Sequence, residues 1–447
     1  MCNKELVMIV KSNIFSDGER RPLSINDNGE VDFWTTLYLS VEYRSDGKAS
    51  TIKNELYKIE VLRKWEAHTG RDILAEFRKQ VFLDKQTILS IKRFCGYSIK
   101  DQKKSTNKVI HFSRVAKSSS ALSSVSKEFQ YQRMLTINQF LEFCAREICK
   151  FKPNSCELNS RIDEMCSLFK KHYPKGLSKG SKATHAETEI LDYFLKVAHY
   201  SHELNPFSNF NLKFRNYLLI QILYWTGVRP SEVLALRLED LEHDTEQPAL
   251  LFRRRHDDKY DPREDQPTLK TQEKVLVIPK WLYDDIELYI RQIRPSFAKS
   301  KSHPYLFVSH KGNSGTAMGK ASFADLILKL KQVDKRFENV QRRGFRIYFN
   351  ERISDKIDEH NGAIRDKIRE AEQKGYLEEA RLLKRDIISE ADEIDTRMRL
   401  NGHAHGESAN AYLQRHARRT ANKVQKQMME DHSEVIKGIK DARNGAS

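Results

Sequence analysis

No stretch of this sequence is apolar for long enough to cross a bilayer. Its longest apolar run, Tyr217-Leu218-Leu219-Ile220, is broken at Gln221, far short of the ~20 residues a spanning helix needs. A transmembrane helix is therefore not expected. Near the N-terminus, residues 6–10 are too few for the core of a signal peptide and are followed by Lys11 in place of a small-residue cleavage site. The chain is expected to stay in the cytoplasm. It also lacks a lipidation signal and a basic amphipathic helix beside an anchor. The six cysteines (Cys2, Cys95, Cys144, Cys149, Cys156, Cys166) include no Cys-x-x-Cys pair and fit neither finger nor ribbon spacing. They read as reduced thiols, with no metal site among them.

Charge, by contrast, is abundant. The 447 residues carry 78 Lys and Arg against 62 Asp and Glu, a formal charge of +16 with a pI near 9.3. Such a balance points to a polyanionic partner, because each phosphate neutralised by a cation releases condensed counterions. With no anchor to favour a membrane surface, nucleic acid is the better reading. Apolar residues make up 39% and charged residues 31%, enough for real cores beneath an unusually charged surface. The length suggests about three domains.

Residues 1–30 mix short apolar runs with Ser16-Asp17-Gly18 and Asn26-Asp27-Asn28-Gly29 turns, which predicts short strands or an irregular N-terminal arm. From Ala49 the period becomes helical, with Leu56, Ile59, Leu62 and Trp65 recurring every three or four residues. Further helices are predicted over 73–82, 86–94, 129–148 and 160–172. The Lys- and Ser-rich stretch 100–120 reads as a basic loop with a strand at 108–112, which suits either a phosphate backbone or a solvated connector. The Pro, Gly and Lys run at 173–182 has the composition of a linker. A helical domain over 31–182 is thus separated from a second domain over 183–447.

Within the second domain helices are predicted at 187–194 and 214–225, and strands at 249–252, 274–278 and 305–308. About 355–396, one apolar stripe (Ile357, Ile364, Ile368, Ala371) and a second (Leu377, Ala380, Leu383, Ile387, Ile394) flank Gln373-Lys374-Gly375. Two antiparallel helices are predicted, as a plain protrusion or as a contact for an accessory protein. A helical tail is predicted over about 413–447.

The segment Thr226-Gly227-Val228-Arg229-Pro230-Ser231-Glu232 ends one apolar helix and starts another, which holds Arg229 at a tight turn. A fixed arginine there offers a five-donor fork to phosphate oxygens, or simply caps and salt-bridges the turn. This segment resembles the first box of the tyrosine recombinases, the phage-type integrases and Xer-like enzymes. Arg343-Gly344-Phe345-Arg346 is similar to their His-x-x-Arg box, and Gly402-His403 followed by Tyr412 matches their Gly-His and nucleophilic tyrosine. Thr268-Leu269-Lys270-Thr271 ahead of the 274–278 strand resembles their β-hairpin lysine, with Lys270 preferred and Lys274 as fallback.

The resemblance implies a mainly α fold with a small β component. It further implies a two-lobed DNA clamp, a helical core-binding domain joined to a mixed α/β catalytic domain. It implies a metal- and ATP-independent enzyme without cofactors, acting on double-stranded DNA as a nucleoid-associated homo-tetramer and integrating or excising a mobile element. Tyr412 would attack the phosphodiester, Arg229 and Arg346 clamp its oxygens, His403 donate to it, and Lys270 protonate the leaving 5′-oxygen. Arg343 departs from the pattern. It stands where the family usually carries His, and arginine is a poor proton acceptor, so it would serve as a further phosphate donor. A relative that binds DNA without strand exchange, or one that relaxes supercoils like a type IB topoisomerase, are the alternatives. A metal-dependent nuclease is unsupported, because no carboxylate cluster has suitable spacing.

Overall fold

The computed structural model describes residues 9–25, 28–43, 49–99, 102, 124–176, 186–242, 247–406 and 425. The chain divides into two compact units, residues 1–183 and 184–447, and both are mainly helical.

In the first unit β1 (Ile9–Ile14) and β2 (Arg20–Ile25) pair antiparallel from Ile9↔Ile25 to Ile14↔Arg20. Six helices come next: α1 (Phe33–Tyr43), α2 (Ala49–Thr69), α3 (Ile73–Arg78), α4 (Lys85–Cys95), α5 (Lys127–Cys149) and α6 (Ser155–Lys171). Asp72, Asp84 and Ser126 start α3, α4 and α5 by accepting from the backbone N–H three residues on. Helix α3 stops short of the predicted residue 82. Gln80 turns left-handed (φ 63°), and the N–H groups of Gln80 and Val81 close on the carbonyls of Phe77 and Glu76.

Trp65, Phe77, Phe94, Phe140 and Phe169 pack into one core. Arg133, 2% exposed, crosses it to donate to the Cys95 and Tyr97 carbonyls at the C-terminal end of α4. Cys95, Cys144, Cys149 and Cys166 are free, buried thiols. Burial pushes Cys95 up to about 12, which keeps it protonated and inert. The strand predicted at 108–112 and nearly all of the basic loop lie outside the described residues.

The second unit opens with α7 (Thr188–Ala198), α8 (Phe210–Thr226) and the short α9 (Pro230–Leu234), then a three-stranded antiparallel sheet. Its order is β3 (Leu241–Glu242), β4 (Ala249–Phe252) and β5 (Lys274–Val277). After α10 (Lys280–Leu288) the predicted strand at 305–308 is not formed. All four of its residues are buried, which explains the strand-like apolar run, but they make only two isolated antiparallel bridges, Tyr305↔Arg237 and Val308↔Ala317, and no continuous ladder. Leu306 N–H donates to the Leu236 carbonyl, and Arg294 donates to the Tyr305 carbonyl. An apolar run of four marks burial, not a ladder.

The chain ends its described course in α11 (Lys320–Lys331), the 32-residue α12 (Arg342–Gln373), α13 (Leu377–Leu383) and α14 (Glu390–Asn401). Helices α13 and α14 return along the upper part of α12. Ile364, Ile368, Ala371 and Ala380 form a small core near the tip. Lower down the seam is polar. Fully buried Arg397 donates to the Asn350 carbonyl and amide oxygen at 3.0 Å each, to Glu393 at 2.6 Å, and to the Ser354 hydroxyl. The Asn350 and Asn401 amides exchange hydrogen bonds at 3.2 and 2.8 Å. Buried amides satisfied in pairs tolerate no slip in register, so this seam fixes where α14 ends. No described helix is long and apolar enough to cross a membrane.

Candidate active site

Helix α8 ends at Gly227, which is left-handed (φ 60°) and so close to α12 that an added Cβ would fall 2.3 Å from the Phe349 ring. Only glycine meets both demands. The turn delivers Arg229 to the start of α9, where the Glu232 carboxylate accepts from its backbone N–H at 3.2 Å and its guanidinium at 3.3 Å. Gly227→Ala is expected to lower stability by about 2–4 kcal/mol, from left-handed strain plus overpacking, as read by urea unfolding. Wild-type stability in that variant would show the turn to be adaptable.

Arg346 lies in the second turn of α12 and is 5% exposed. Its guanidinium donates to the Gly227 carbonyl at 3.3 Å, to the Asn401 carbonyl at 2.9 Å, and to His403 Nε2 at 2.9 Å. Arginine has no acceptor, so His403 must accept through Nε2 and carry its proton on Nδ1. Burial, then Arg346, Arg229 and Lys274, push His403 down to about 4. The ring is therefore neutral at pH 7, a hydrogen-bond donor and not a further fixed cation.

His403 reaches this place through Gly402. That residue is left-handed (φ 64°), with its α-carbon so near the β-hairpin that a Cβ would sit 2.7 Å from the Gln272 carbonyl. Gln272 N–H in turn donates to the Gly402 carbonyl at 2.9 Å. The end of α14 is thereby stapled to the segment ahead of β5.

That segment supplies the lysine. Lys274 is buried, with its ammonium 3.0 Å from Glu232 and 3.2 Å from the Asn401 carbonyl. Burial, opposed by Glu232 and reinforced by Arg346, pushes Lys274 down to about 8. Burial alone would raise Glu232, but Lys274 and then Arg346 hold its carboxyl below the usual range. Thr271 adds a hydroxyl bond to Glu232 at 3.2 Å. Arg229, Lys274 and Arg346 thus surround one carboxylate and one neutral imidazole, and the surplus of positive charge suits an anion.

Of the residues singled out from sequence, Arg229, Arg346 and His403 come together here. Lys270 is exposed, held between buried Leu269 and Thr271, while Lys274 occupies the interior. Arg343 is exposed in the first turn of α12. Tyr412 lies outside the described residues, as does the predicted tail apart from residue 425. In the sequence Glu232 is marked only as a first-turn helix residue, and Lys274 stands second to Lys270. The strand explains the exchange: Leu276 is buried while Val275 and Val277 are 59% exposed, so Lys274 shares the inner face. Among the described residues no group of three His, Cys, Asp or Glu side chains converges as a metal site would require.

No family model and no curated protein matches the chain. Solved structures similar to it include the XerH site-specific recombinase bound to its palindromic difH substrate. That match is at 14% identity, covers 88% of this chain and 94% of that one, and has a TM-score of 0.40. The Tn1549 transposon integrase in complex with circular intermediate DNA is similar at 12% identity, over 86% and 99%, with a TM-score of 0.40. The XerA recombinase is similar at 13%, over 85% and 92%, with a TM-score of 0.31. At such identities and scores these are likenesses only, and the function rests on the side chains gathered around Arg346.

Proposed function

We propose that this chain is a tyrosine recombinase, which cleaves and rejoins double-stranded DNA through a covalent 3′-phosphotyrosyl intermediate. The observation that carries the reading is the convergence of Arg229, Lys274, Arg346 and His403 from four distant segments. A phosphodiester carries one negative charge, which grows as an attacking oxygen adds to phosphorus. Guanidinium groups held in place by the fold stabilise that growth without reorganising.

Tyr412 is the proposed nucleophile. Its hydroxyl proton passes to water as the phenolic oxygen bonds to phosphorus; the bond to the 5′-oxygen breaks, and that oxygen takes a proton from Lys270. The phosphotyrosyl ester keeps the energy of the broken bond, so a 5′-hydroxyl from another strand reverses the step without ATP. Arg343, at the mouth of α12, serves as an outer phosphate contact. A tetramer on two DNA sites, integration or excision of a mobile element, and action in the cytoplasm at the nucleoid complete the proposal.

Covalent trapping tests it. The protein, without added metal, is mixed with nicked duplexes whose sequence is randomised, and SDS-stable, protease-sensitive adducts are collected and sequenced. Adducts are expected with wild type and with Tyr348→Phe, whose hydroxyl donates to Asp192 at 3.0 Å, and are expected to vanish in Tyr412→Phe. Tight DNA binding with no adduct would leave a binding protein, the outcome that Arg343 in place of His makes worth separating. Adducts at many unrelated sequences, with supercoil relaxation, would indicate a topoisomerase-like activity.

A further inference from the structure

Arg346 and Lys274 share one acceptor. The Asn401 carbonyl takes a hydrogen bond from the Arg346 guanidinium at 2.9 Å and from the Lys274 ammonium at 3.2 Å. Asn401 is the last residue of α14, where a carbonyl has no donor within the helix. The backbone N–H groups of Gly402 and His403 close on the Arg399 and Met398 carbonyls, and the two cations complete the cap at Asn401. The Arg346 nitrogen that reaches Asn401 also reaches His403 Nε2. Where this carbonyl stands therefore decides how Arg346, Lys274 and His403 stand to one another.

The carbonyl is held through its own side chain. Asn401 is 1% exposed, and its amide donates to Asn350 Oδ1 at 2.8 Å and to the Arg397 carbonyl at 3.0 Å. The Asn350 amide donates in return to Asn401 Oδ1 at 3.2 Å and to the Arg346 carbonyl at 2.7 Å. This path is closed: it leaves the Arg346 backbone, crosses two amides to Asn401, and comes back through the Arg346 side chain. Arg397 clamps it with five hydrogen bonds, two of them to Asn350. Stability alone does not call for such a seam, because well-packed apolar residues in place of a buried ionic network are often neutral or stabilising. What a fully satisfied network adds is a single arrangement. We infer that Asn350 and Asn401 are positioning residues, which hold the Asn401 carbonyl where Arg346 and Lys274 converge on it. Arg397 ties the return leg of the hairpin into the same arrangement. The effect on strand cleavage rests on the recombinase reading; the placement of Lys274 does not.

Asn401→Leu and Asn350→Leu test this, with Asn361→Leu as control. Asn361 is a buried amide of the same hairpin, bonded to the Ile388 backbone and about 16 Å further along α12 than Asn350. Asn350→Ser, polar but too short to span to Asn401, should act like the leucine variants and carries the test if those do not fold. Two readings are taken on the full chain. Without DNA, the carbon-13 resonance of the Lys274 ε-carbon, assigned by its loss in Lys274→Met, is followed against pH. Wild type should titrate at about 8. The Asn350 and Asn401 variants should titrate at least about half a unit lower, because an ammonium that loses an acceptor gives up its proton more readily. With DNA, their adduct formation should fall about 10²-fold, the scale of a displacement of about 1 Å, while duplex binding stays within about threefold. Asn361→Leu should lower the urea midpoint and move neither reading. An unchanged Lys274 titration in the folded Asn350 and Asn401 variants overturns the inference, as does an equal shift in Asn361→Leu. If wild type forms no adduct, the recombinase reading falls, and the titration still decides whether the two amides place the lysine.

Discussion

Arg346→Ala is expected to slow covalent adduct formation by about 10³-fold, while duplex binding at low salt weakens less than tenfold. Two effects combine. The lost guanidinium removes a preorganised donor from the charge that develops on phosphorus, a change typically costing about 10²–10³ in rate. It also leaves the Gly227 and Asn401 carbonyls and His403 Nε2 without the donor that now joins them. Arg346→Lys should fail almost as badly, because a single ammonium cannot span three acceptors that a planar fork reaches together. Guanidinium ion in the millimolar range should partly restore the alanine variant and leave the lysine variant unchanged. Adduct formation within tenfold of wild type in Arg346→Ala would remove this residue from the site. Circular dichroism and urea unfolding separate loss of chemistry from loss of fold.

The sequence made Arg229, Arg346 and His403 legible because each is tied to a local signal. Arg229 sits between Gly227 and Pro230, Arg346 on a helix turn, and His403 directly after Gly402. Those signals describe backbone, and backbone near a left-handed glycine is strongly determined by residue type. The cohesion of the site was not legible. It depends on Asn350, Ser354, Arg397 and Asn401, a polar seam between α12 and α14 that resembles ordinary helix surface until the two helices meet.

Glu232 illustrates the same gap. Its position at the third residue of α9 explains its hydrogen bond to the Arg229 backbone, but only the return of β5 brings Lys274 to its other oxygen. The run at 305–308 shows the converse error. Its hydrophobicity predicts a strand, whereas the fold buries it with only single antiparallel bridges at Tyr305 and Val308.

Lys270→Ala and Lys274→Ala are expected to behave in opposite ways toward a substrate whose leaving 5′-oxygen is replaced by sulfur. Lys274 is almost wholly enclosed, its side chain 3% exposed, and its ammonium is engaged by Glu232 and the Asn401 carbonyl. Giving up that proton would strip a buried carboxylate of a partner. Lys270 stands in solvent, yet its backbone is anchored by buried Leu269 and by Thr271, which bonds Glu232. An exposed ammonium on a fixed stem can reach a leaving oxygen, and an enclosed one cannot.

Lys270→Ala should therefore lose about 10²–10⁴ in adduct formation on the normal phosphodiester, the usual share of a general acid, and recover on the sulfur substrate, because a thiolate departs without protonation. Lys274→Ala should lose activity on both substrates alike, since it releases Glu232 and with it Arg229. The wild-type pH profile carries the same distinction. With Lys274 pushed down to about 8, raising pH through that value discharges the pair with Glu232, so the rate should fall on both substrates. Recovery of Lys274→Ala by sulfur, with Lys270→Ala left inactive, would exchange the two roles and require β5 to open when DNA binds.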